Sequence, residues 1–348
     1  MRSLFLILIS LILCLEIRSQ SYCILVLTTN NHCYVDETGK VLYSENIDPL
    51  INEKIFPVQN GLGRIKRSGK FGFINYKGET MIPIIYDKAE DFNEGLAEVE
   101  IKGKWGYINT KGELSIKAEF ETIHRFSCGL AAFGKKGKHG YLDHQGNVAI
   151  QPVYDRVCHF KNDRAWVLLN GHWGCINKKG EFIIQPEYND TFDFSEGYAW
   201  VKKGLVWGLV DSTNKIVVPY NERNNLTYAF SGTAKNFCSV NNGLMISKAN
   251  NKLGYCIVPS LKKTIASKFD GGLEFQDDLA IIWVDGKHGL IDSKGNYAAE
   301  PIYQEINRIG QKDIFAANLK DKGWGLLNIS TGTFTAIKCK NILYLEKL

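Results

Sequence analysis

Short segments of alternating apolar and polar residues follow one another along most of the chain, separated by glycine-containing turns. The segment LAEVEIK at 96–102 alternates with a period of two, which predicts a half-buried β-strand. The segment KWGYIN at 104–109 follows after a Gly-Lys turn, and the pair predicts a β-hairpin. No helical period of apolar residues appears in these segments, so the pattern favours strands over helical repeats.

A tight turn and a third strand complete each unit. The turn has the pattern Asn/Asp-x-x-Gly, in which the Asx side chain bonds the turn backbone and glycine supplies a positive φ. The third strand, such as EFIIQPEY at 181–188, contains a proline, which fits an edge strand or a β-bulge. The segment after it is either a fourth strand or a loop. The turn recurs at Asn75–Gly78, Asn109–Gly112, Asp143–Gly146, Asn177–Gly180 and Asp292–Gly295.

The units recur every 34 residues. A fixed period of this size indicates a stacked or radial array of one supersecondary unit. The landmark is an aromatic–glycine pair, found at Phe71-Gly72, Trp105-Gly106, His139-Gly140, Trp173-Gly174 and Trp207-Gly208, with degenerate copies at Leu253-Gly254, His288-Gly289 and Trp324-Gly325. Aromatic residues that end the third strand keep the same spacing, at Tyr86, Phe120, Tyr154 and Tyr188, as do Phe92, Phe126, Phe160 and Phe194.

The segments GKWGYINTKG and GHWGCINKKGEFIIQP resemble the WG-containing (KWG) β-repeat family. The resemblance covers residues 60–330 and is most specific from Gly72 to Asp211. It departs from the pattern between Trp207 and Leu253, where the step is 46 residues. The resemblance implies tandem β-repeats of a kind common in secreted and envelope proteins of bacteria, and it implies no particular activity.

The predicted fold is all-β, an array of eight or nine tandem repeats with a propeller-like arrangement. An open β-solenoid or superhelix is the alternative, because single propellers typically have about 4–8 blades. Nine strands correspond to the first strand of a unit, beginning at Ile24, Leu62, Leu96, Leu130, Arg164, Tyr198, Leu244, Leu279 and Phe315. We divide the chain into a signal peptide at 1–19, a degenerate first repeat at 20–60, regular repeats at 61–220, an insertion at 221–243 and divergent repeats at 244–348.

The N-terminus predicts export. Arg2 precedes an apolar run from Leu4 to Leu15, which is too short for a transmembrane helix and typical of a signal peptide. No later segment is long and apolar enough to span a bilayer, so we predict no transmembrane segment. The mature protein is expected to be secreted, periplasmic or associated with the cell surface.

Charge and cysteines add little to this picture. The formal net charge is +5, spread along the chain without a run of like charges, which argues against a nucleic-acid partner. Export permits disulfides, but the cysteines fall at different positions in different repeats and form no repeated framework. Cys23 and Cys33 are the pair that a hairpin would bring face to face.

Residues present in every unit are predicted to be structural, because each unit needs them for packing. This set comprises Phe71, Gly72, Trp105, Gly106, Gly140, Trp173, Gly174, Trp207, Gly208, Trp324 and Gly325. Binding candidates come from a slot that varies between units and holds Glu98, Ala132, Trp166 and Trp200. A small alanine precedes the slot and is expected to face the packed side, so alternation places the slot on the other face. Trp166 and Trp200 are then an exposed aromatic pair. The alternative is a wide core between strands.

No phosphate-binding loop, nucleophile elbow, paired carboxylates or metal-ligand spacing occurs in the sequence. Asp87, Asp155 and Asp270 are expected to form turns. We therefore predict no enzymatic activity, no cofactor and no metal. The predicted function is a secreted or cell-envelope scaffold that binds a protein partner. The alternative is a lectin-like protein that binds a polysaccharide through Trp166 and Trp200.

Overall fold

The computed structural model describes residues 22–27, 31–36, 40–46, 54–220, 240–249, 252–258, 260, 262–337, 339 and 341–347. In these ranges every regular element is a β-strand and none is a helix. The predicted signal peptide and residues 221–239 of the predicted insertion lie outside the described residues.

The strands are numbered in chain order. The first seven are β1 Tyr22–Leu27, β2 Asn31–Val35, β3 Val41–Asn46, β4 Lys54–Gln59, β5 Leu62–Arg67, β6 Lys70–Ile74 and β7 Thr80–Tyr86. The next sixteen are β8 Lys88–Ala89, β9 Leu96–Ile101, β10 Lys104–Asn109, β11 Leu114–Phe120, β12 Thr122–Ile123, β13 Ala131–Lys135, β14 Lys138–Leu142, β15 Val148–Tyr154, β16 Arg156–Val157, β17 Arg164–Leu169, β18 His172–Asn177, β19 Phe182–Tyr188, β20 Asp190–Thr191, β21 Tyr198–Lys203, β22 Val206–Asp211 and β23 Ile216–Val218. The last twelve are β24 Leu244–Ala249, β25 Lys252–Ile257, β26 Lys262–Phe269, β27 Gly271–Gly272, β28 Leu279–Val284, β29 Lys287–Asp292, β30 Tyr297–Tyr303, β31 Glu305–Arg308, β32 Ile314–Leu319, β33 Gly323–Asn328, β34 Thr333–Ala336 and β35 Asn341–Lys347.

Over the described residues these strands form nine sheets, eight of four strands and one of three. In a regular repeat a two-residue strand comes first, followed by two long central strands and an edge strand, as in the order β8-β9-β10-β11. Neighbouring strands of this sheet pair antiparallel. Tandem four-stranded sheets of this kind form a β-propeller arrangement of nine blades. The predicted all-β, propeller-like fold is confirmed.

Both ends of the chain contribute to one sheet, in the order β3-β2-β1-β35. In the first hairpin Val26 lies opposite Cys33, because the turn places Leu27 opposite His32. The expectation that Cys23 and Cys33 face each other is therefore wrong. Cys33 is a free, buried thiol.

The chain divides into two compact units. One consists of Met1–Ile85, Asn307–Ala316 and Asp321–Leu348. The other, called the central unit below, consists of Tyr86–Ile306 and Ala317–Lys320. The central unit contains most of the regular repeats and carries the surface described in the next section.

The core of the central unit is built between neighbouring repeats. The four residues at 96–99 of β9 are all buried, so this strand is covered on both faces. One buried cluster joins Trp166 of β17 to Phe194 and Val201 of the next repeat. Each repeat thus supplies part of the packing surface that its neighbour requires, as expected for an array whose units cannot bury their own strands.

The glycine of the aromatic–glycine pair is required by the close approach of the edge strand. Trp105 lies opposite Phe120 and Tyr107 opposite Ile116, so Gly106 alone faces the three residues 117–119 of a bulge. A Cβ on Gly106 would lie 2.6 Å from the carbonyl oxygen of Ile116. The bulge also accommodates the prolines predicted for an edge strand or bulge, among them Pro152 and Pro186. Backbone of the edge strand approaches in the same way at Gly72, Gly140, Gly174 and Gly325, and at Gly208 the nearest atoms belong to the Tyr220 ring.

In five repeats the two central strands are joined by two-residue turns in which both residues have positive φ. Lys102 and Gly103 have φ values of 52° and 76°, and Asn170 and Gly171 have 51° and 81°. These values are those of a type I′ turn, which matches the twist of the flanking strands. Asparagine tolerates the left-handed region better than other non-glycine residues. The same turn has lysine, serine or aspartate in its first position elsewhere, at Lys136, Ser68 and Asp285.

Replacing Ser68 with asparagine is expected to raise the free energy of unfolding by roughly 0.5–1 kcal/mol, because Ser68 has a φ of 50°. The reverse change, Asn170→Ser, should lower it by a similar amount at the equivalent turn position. Chemical denaturation of both variants measures the effect. Shifts of the same sign in the two variants would contradict the explanation.

Candidate binding surface

The residues predicted to bind a ligand lie in the core. Trp166 and Trp200 are 2% and 1% exposed, and Glu98 is 4% exposed. The expected exposure of this slot is wrong, because the first long strand is covered on both faces and alternation leaves it no outer face. These positions instead belong to a wide core between strands, which was the alternative interpretation.

In two adjacent repeats the slot residue and its cross-strand neighbour are complementary in size. Trp166 lies opposite Cys175, whereas Ala132 lies opposite Tyr141 in the preceding repeat. A large side chain on one strand is thus matched by a smaller one on the other, as close packing of the core requires. The difference between Ala132 and Trp166 therefore reflects packing.

In several repeats a buried tyrosine in the second central strand ties the repeat to the segment that follows its edge strand. The hydroxyls of Tyr107 and Tyr141 donate to the carbonyl oxygens of His124 and Cys158, each at 2.7 Å. Burial raises the pKa of Tyr141, so its hydroxyl remains a donor. Cys175 replaces this tyrosine in the following repeat, where the equivalent carbonyl is that of Phe192. It accepts a hydrogen bond from Thr191 Oγ1 at 3.0 Å instead.

Trp166 fills the space that the tyrosine occupies in other repeats. Its ring stacks on that of Phe194, with centroids 5.3 Å apart and an interplanar angle of 2°. Its indole Nε1 is buried and has no hydrogen-bond partner among the described residues. The side chain is therefore held by packing.

The tryptophans of the aromatic–glycine pairs are less buried than predicted. Those of the central unit are half-buried and pack on the core with one side. They are Trp105, Trp173 and Trp207. In the other unit Phe71 is half-buried and Trp324 is buried. Trp324 is therefore a core residue, as predicted, whereas the other four side chains contribute only part of their rings to the core.

Cationic side chains cover these half-buried rings. Lys88 Nζ lies over Trp105, 5.6 Å from the ring centroid, and Lys202 Nζ lies over Trp207 at 5.9 Å. The guanidinium carbon of Arg156 lies 5.8 Å from the Trp173 centroid. These distances are within the range of cation–π contacts. The rings consequently present a positive charge outward.

Side chains from the residue after the edge strand hold the hairpin turns in place. Asp87 Oδ2 accepts a hydrogen bond from the backbone N–H of Lys102 at 2.7 Å, and Asp155 Oδ2 accepts one from Asn170 N at 3.0 Å. Asp87, Asp155 and Asp270, which were expected to form turns of their own, instead bond hairpin turns 15 residues further along the chain. The remaining examples are Asp270 Oδ2 with Asp285 N at 2.6 Å and Asn189 Oδ1 with Gly204 N at 2.7 Å.

The Asp155 carboxylate also accepts a hydrogen bond from Lys138 Nζ at 2.5 Å, which holds its pKa below the ordinary value of 3.8. A carboxylate whose pKa is depressed by folding stabilises the protein above its unfolded pKa. This contribution is lost as the pH falls through the folded pKa.

We expect Asp155→Asn to leave the turn bond intact, as Asn189 shows at the equivalent position, and to remove the ion pair with Lys138. The melting temperature of this variant should therefore fall less steeply than that of the wild type below about pH 4. Thermal melts from pH 6 to pH 2 measure the effect, with Asp190→Asn as the control. Parallel curves for wild type and Asp155→Asn would contradict the assignment.

Lysines cluster at the end of the central unit where these hairpin turns lie. This hairpin end comprises Lys102, Lys104, Lys135, Lys136, Lys138, Lys202 and Lys203, all exposed or half-exposed. Neighbouring sheets keep the same orientation, because their equivalent turns at the other end bond each other, as Glu94 Oε2 does with Gly129 N at 3.0 Å. The cluster contains no run of like charges, so the search for such runs did not reveal it. Its signal in the sequence is the recurrence of lysine near the hairpin turns.

Like the hairpin end, where Asp87, Asp155 and Glu187 lie, the opposite end of the sheets carries both signs of charge. We call it the mixed-charge end. It contains the Asx turns, in which Asn109 Oδ1 accepts hydrogen bonds from Lys111 N and Glu113 N, each at 3.0 Å. These bonds confirm the predicted turn chemistry. An ion pair between Lys178 and Asp163 spans 2.5 Å at this end. Its exposed turn lysines include Lys111, Lys179, Lys215 and Lys294.

Histidines of adjacent repeats approach each other without forming a metal site. The rings of His124 and His159 lie 5.6 Å apart in an edge arrangement. Within the part of the chain that the structure describes, no group of three or more His, Cys, Asp or Glu side chains is placed to hold a metal ion. The same residues include no helix long and apolar enough to cross a membrane.

Among solved structures, the chain is similar to a crystal structure of the eukaryotic initiation factor, with a TM-score of 0.55 and 10% identity over 94% of this chain and 98% of that chain. This similarity shows the fold alone. Apo AztD from Citrobacter koseri has a TM-score of 0.41 and 11% identity over 94% and 98% of the two chains. Dihydro-heme d1 dehydrogenase NirN in complex with DHE has a TM-score of 0.43 and 9% identity over 94% and 75%. The comparison with curated protein sequences gave no match.

The family described as WG containing repeat matches the sequence in five segments, at residues 71–105, 105–138, 140–172, 173–204 and 289–324. Most of these residues lie in the central unit, the exceptions being 71–85, 307–316 and 321–324, and the match confirms the resemblance noted in the sequence. The chain therefore contains tandem WG-containing repeats over these five segments.

Proposed function

We propose that the protein is an exported, non-catalytic scaffold that binds a protein partner through the hairpin end of the central unit. The observation that carries this proposal is the repeated presentation of exposed lysines on turns that side-chain hydrogen bonds hold in place. Repeat arrays keep a common core and vary the residues they expose, which suits them to binding broad surfaces. Export rests on Arg2 and the apolar run from Leu4 to Leu15.

An apolar side chain at the same end supports a protein as the partner. Leu205 follows the turn glycine Gly204 in the hairpin between β21 and β22, and it is 91% exposed. Leu205 is the second residue of this two-residue turn, where the neighbouring hairpins have Gly103, Gly137 and Gly171. Protein interfaces combine apolar contacts with a charged rim, and Leu205 beside Lys203 offers both.

The two residues on which the carbohydrate-binding alternative depended are not accessible to a ligand. Trp166 and Trp200 are buried, so neither ring is available to stack on a sugar. The half-buried Trp105 and Trp173 have Lys88 and Arg156 over their rings. We therefore retain protein binding as the single proposal.

Site-specific photo-cross-linking tests the proposal. The mature chain, residues 20–348, is prepared with a photoreactive phenylalanine in place of Leu205, and in a second preparation in place of the exposed Thr110 at the mixed-charge end. Each is irradiated in an envelope extract of the source organism. We expect protease-sensitive adducts from position 205 and few from position 110. Equal yields, or adducts that survive protease and contain only polysaccharide, would contradict the proposal.

A further inference from the structure

Four lysines of the hairpin end are left without an acidic partner. No carboxylate lies within ion-pair distance of Lys102, Lys104, Lys135 or Lys136 among the residues that the structure describes. Lys138, which belongs to the same surface, is instead paired with Asp155. The two turns concerned belong to adjacent repeats and lie at the same end of their sheets, and their four lysines are called the lysine patch below.

The turns that carry these charges are fixed before any partner binds. Asp87 bonds the N–H of Lys102 across the sheet, and Lys136 lies in a type I′ turn with a φ of 52°. A partner therefore meets charges whose backbone positions are already set, which lowers the entropic cost of association. Only the lysine side chains have to be ordered on binding.

The neighbouring rings do not offer a surface for stacking. Lys88, which is ion-paired with Glu100, lies over Trp105 in the same sheet as Lys102 and Lys104, so the ring face is covered. Binding of single-stranded nucleic acid or of a sugar requires open aromatic faces. The patch instead offers ammonium groups, which bind as point charges on flexible stems. Such groups suit carboxylates at variable spacing.

We infer that Lys102, Lys104, Lys135 and Lys136 bind an acidic segment of the protein partner, rich in aspartate and glutamate. This inference rests on the proposed function and adds the chemical class of the partner. Carboxylates of the ligand would pair with these lysines as Asp155 pairs with Lys138, which lies in the same hairpin as Lys135 and Lys136. Binding would weaken as salt is added, since the charges are exposed.

A fluorescein-labelled peptide of ten glutamates is the probe, and fluorescence anisotropy of the mature chain measures its Kd. The test variant carries Lys102→Gln, Lys104→Gln, Lys135→Gln and Lys136→Gln. The control variant loses the same charge at the mixed-charge end, through Lys111→Gln, Lys179→Gln, Lys215→Gln and Lys294→Gln. We expect the control to bind like the wild type and the test variant to bind at least about tenfold more weakly, since four exposed ion pairs are lost.

Thermal melting checks that both variants fold, and the two-residue variants Lys102→Gln/Lys104→Gln and Lys135→Gln/Lys136→Gln replace the fourfold change if it does not fold. Equal loss of binding in test and control variants would overturn the inference, because it would show attraction by net charge alone. Absence of binding, or tighter binding of single-stranded DNA or a sulfated polysaccharide, would also overturn it. Protein adducts from position 205 in the absence of peptide binding would leave the scaffold proposal standing and reject the acidic partner.

Discussion

Replacing Trp166 with alanine is expected to lower the free energy of unfolding by about 3–5 kcal/mol. The side chain is 2% exposed and packs on Tyr188 of its own sheet and on Phe194 of the next repeat. Its removal leaves a cavity between two sheets, which the flanking strands cannot close without losing their own contacts. Trp173→Ala should cost less, because Trp173 is only half-buried. Urea denaturation of the two variants measures the difference.

A compensating change sharpens this prediction. In the preceding repeat Ala132 lies opposite Tyr141, whose hydroxyl bonds the carbonyl of Cys158. The double variant Trp166→Ala/Cys175→Tyr installs the same pair, and its tyrosine can reach the equivalent carbonyl of Phe192. We expect it to recover about half or more of the stability lost in Trp166→Ala. A double variant less stable than Trp166→Ala, or a Trp173→Ala variant that loses more stability, would contradict this account of the core.

Replacing Gly106 with alanine is expected to lower the free energy of unfolding by about 1–3 kcal/mol, although alanine adds only a methyl group. The new Cβ would lie 2.6 Å from Ile116 O and 2.7 Å from Ala118 N, so the backbone of the bulged edge strand has to move. These atoms cannot rotate away as a flexible side chain would. Thermal melting and urea denaturation measure the loss.

The matched control for Gly106 is a position where glycine is favoured only because the backbone has a positive φ, and where an added Cβ would meet no other atom. Gly171 has a φ of 81° and no atom within 4 Å of its added Cβ. Gly171→Asn should therefore cost less than Gly106→Ala, since asparagine tolerates the left-handed region. A Gly106→Ala variant as stable as the wild type would show that the bulge does not constrain this position.

The fold could be predicted from the sequence because its signals are local and repeated. The alternation of LAEVEIK, the Asx turns and the proline of the third strand each predict one element, and the 34-residue period arranges them in tandem. The structure adds what local patterns do not contain. Gly106 has an ordinary negative φ and is required only by a strand that comes close in space.

The burial of the slot could not be predicted from alternation. Alternation assigns two faces to a strand, one packed and one exposed, which holds for a sheet covered on one side. The first long strand of each repeat has neighbouring sheets on both sides, so Ala165 and Trp166 are both buried. The size match of Trp166 with Cys175 was visible in the sequence and becomes informative only with the register of the hairpin.

The lysine patch escaped prediction for a similar reason. Lys102 and Lys136 lie one repeat apart in the sequence, and a search for runs of like charge treats them as unrelated. Because neighbouring repeats fold into sheets of the same orientation, residues at equivalent positions in those repeats lie at the same end of the sheets. In a repeat protein, charge is therefore best compared position by position across the repeats.

The most direct test of the central claim combines the cross-linker at position 205 with the two sets of lysine changes. The claim is that the hairpin end of the central unit is the surface that binds the partner. We predict that protein adducts from position 205 fall sharply when Lys102, Lys104, Lys135 and Lys136 are changed to glutamine. They should persist when Lys111, Lys179, Lys215 and Lys294 are changed. Adducts unaffected by the first set of changes, or lost equally with both sets, would contradict the claim.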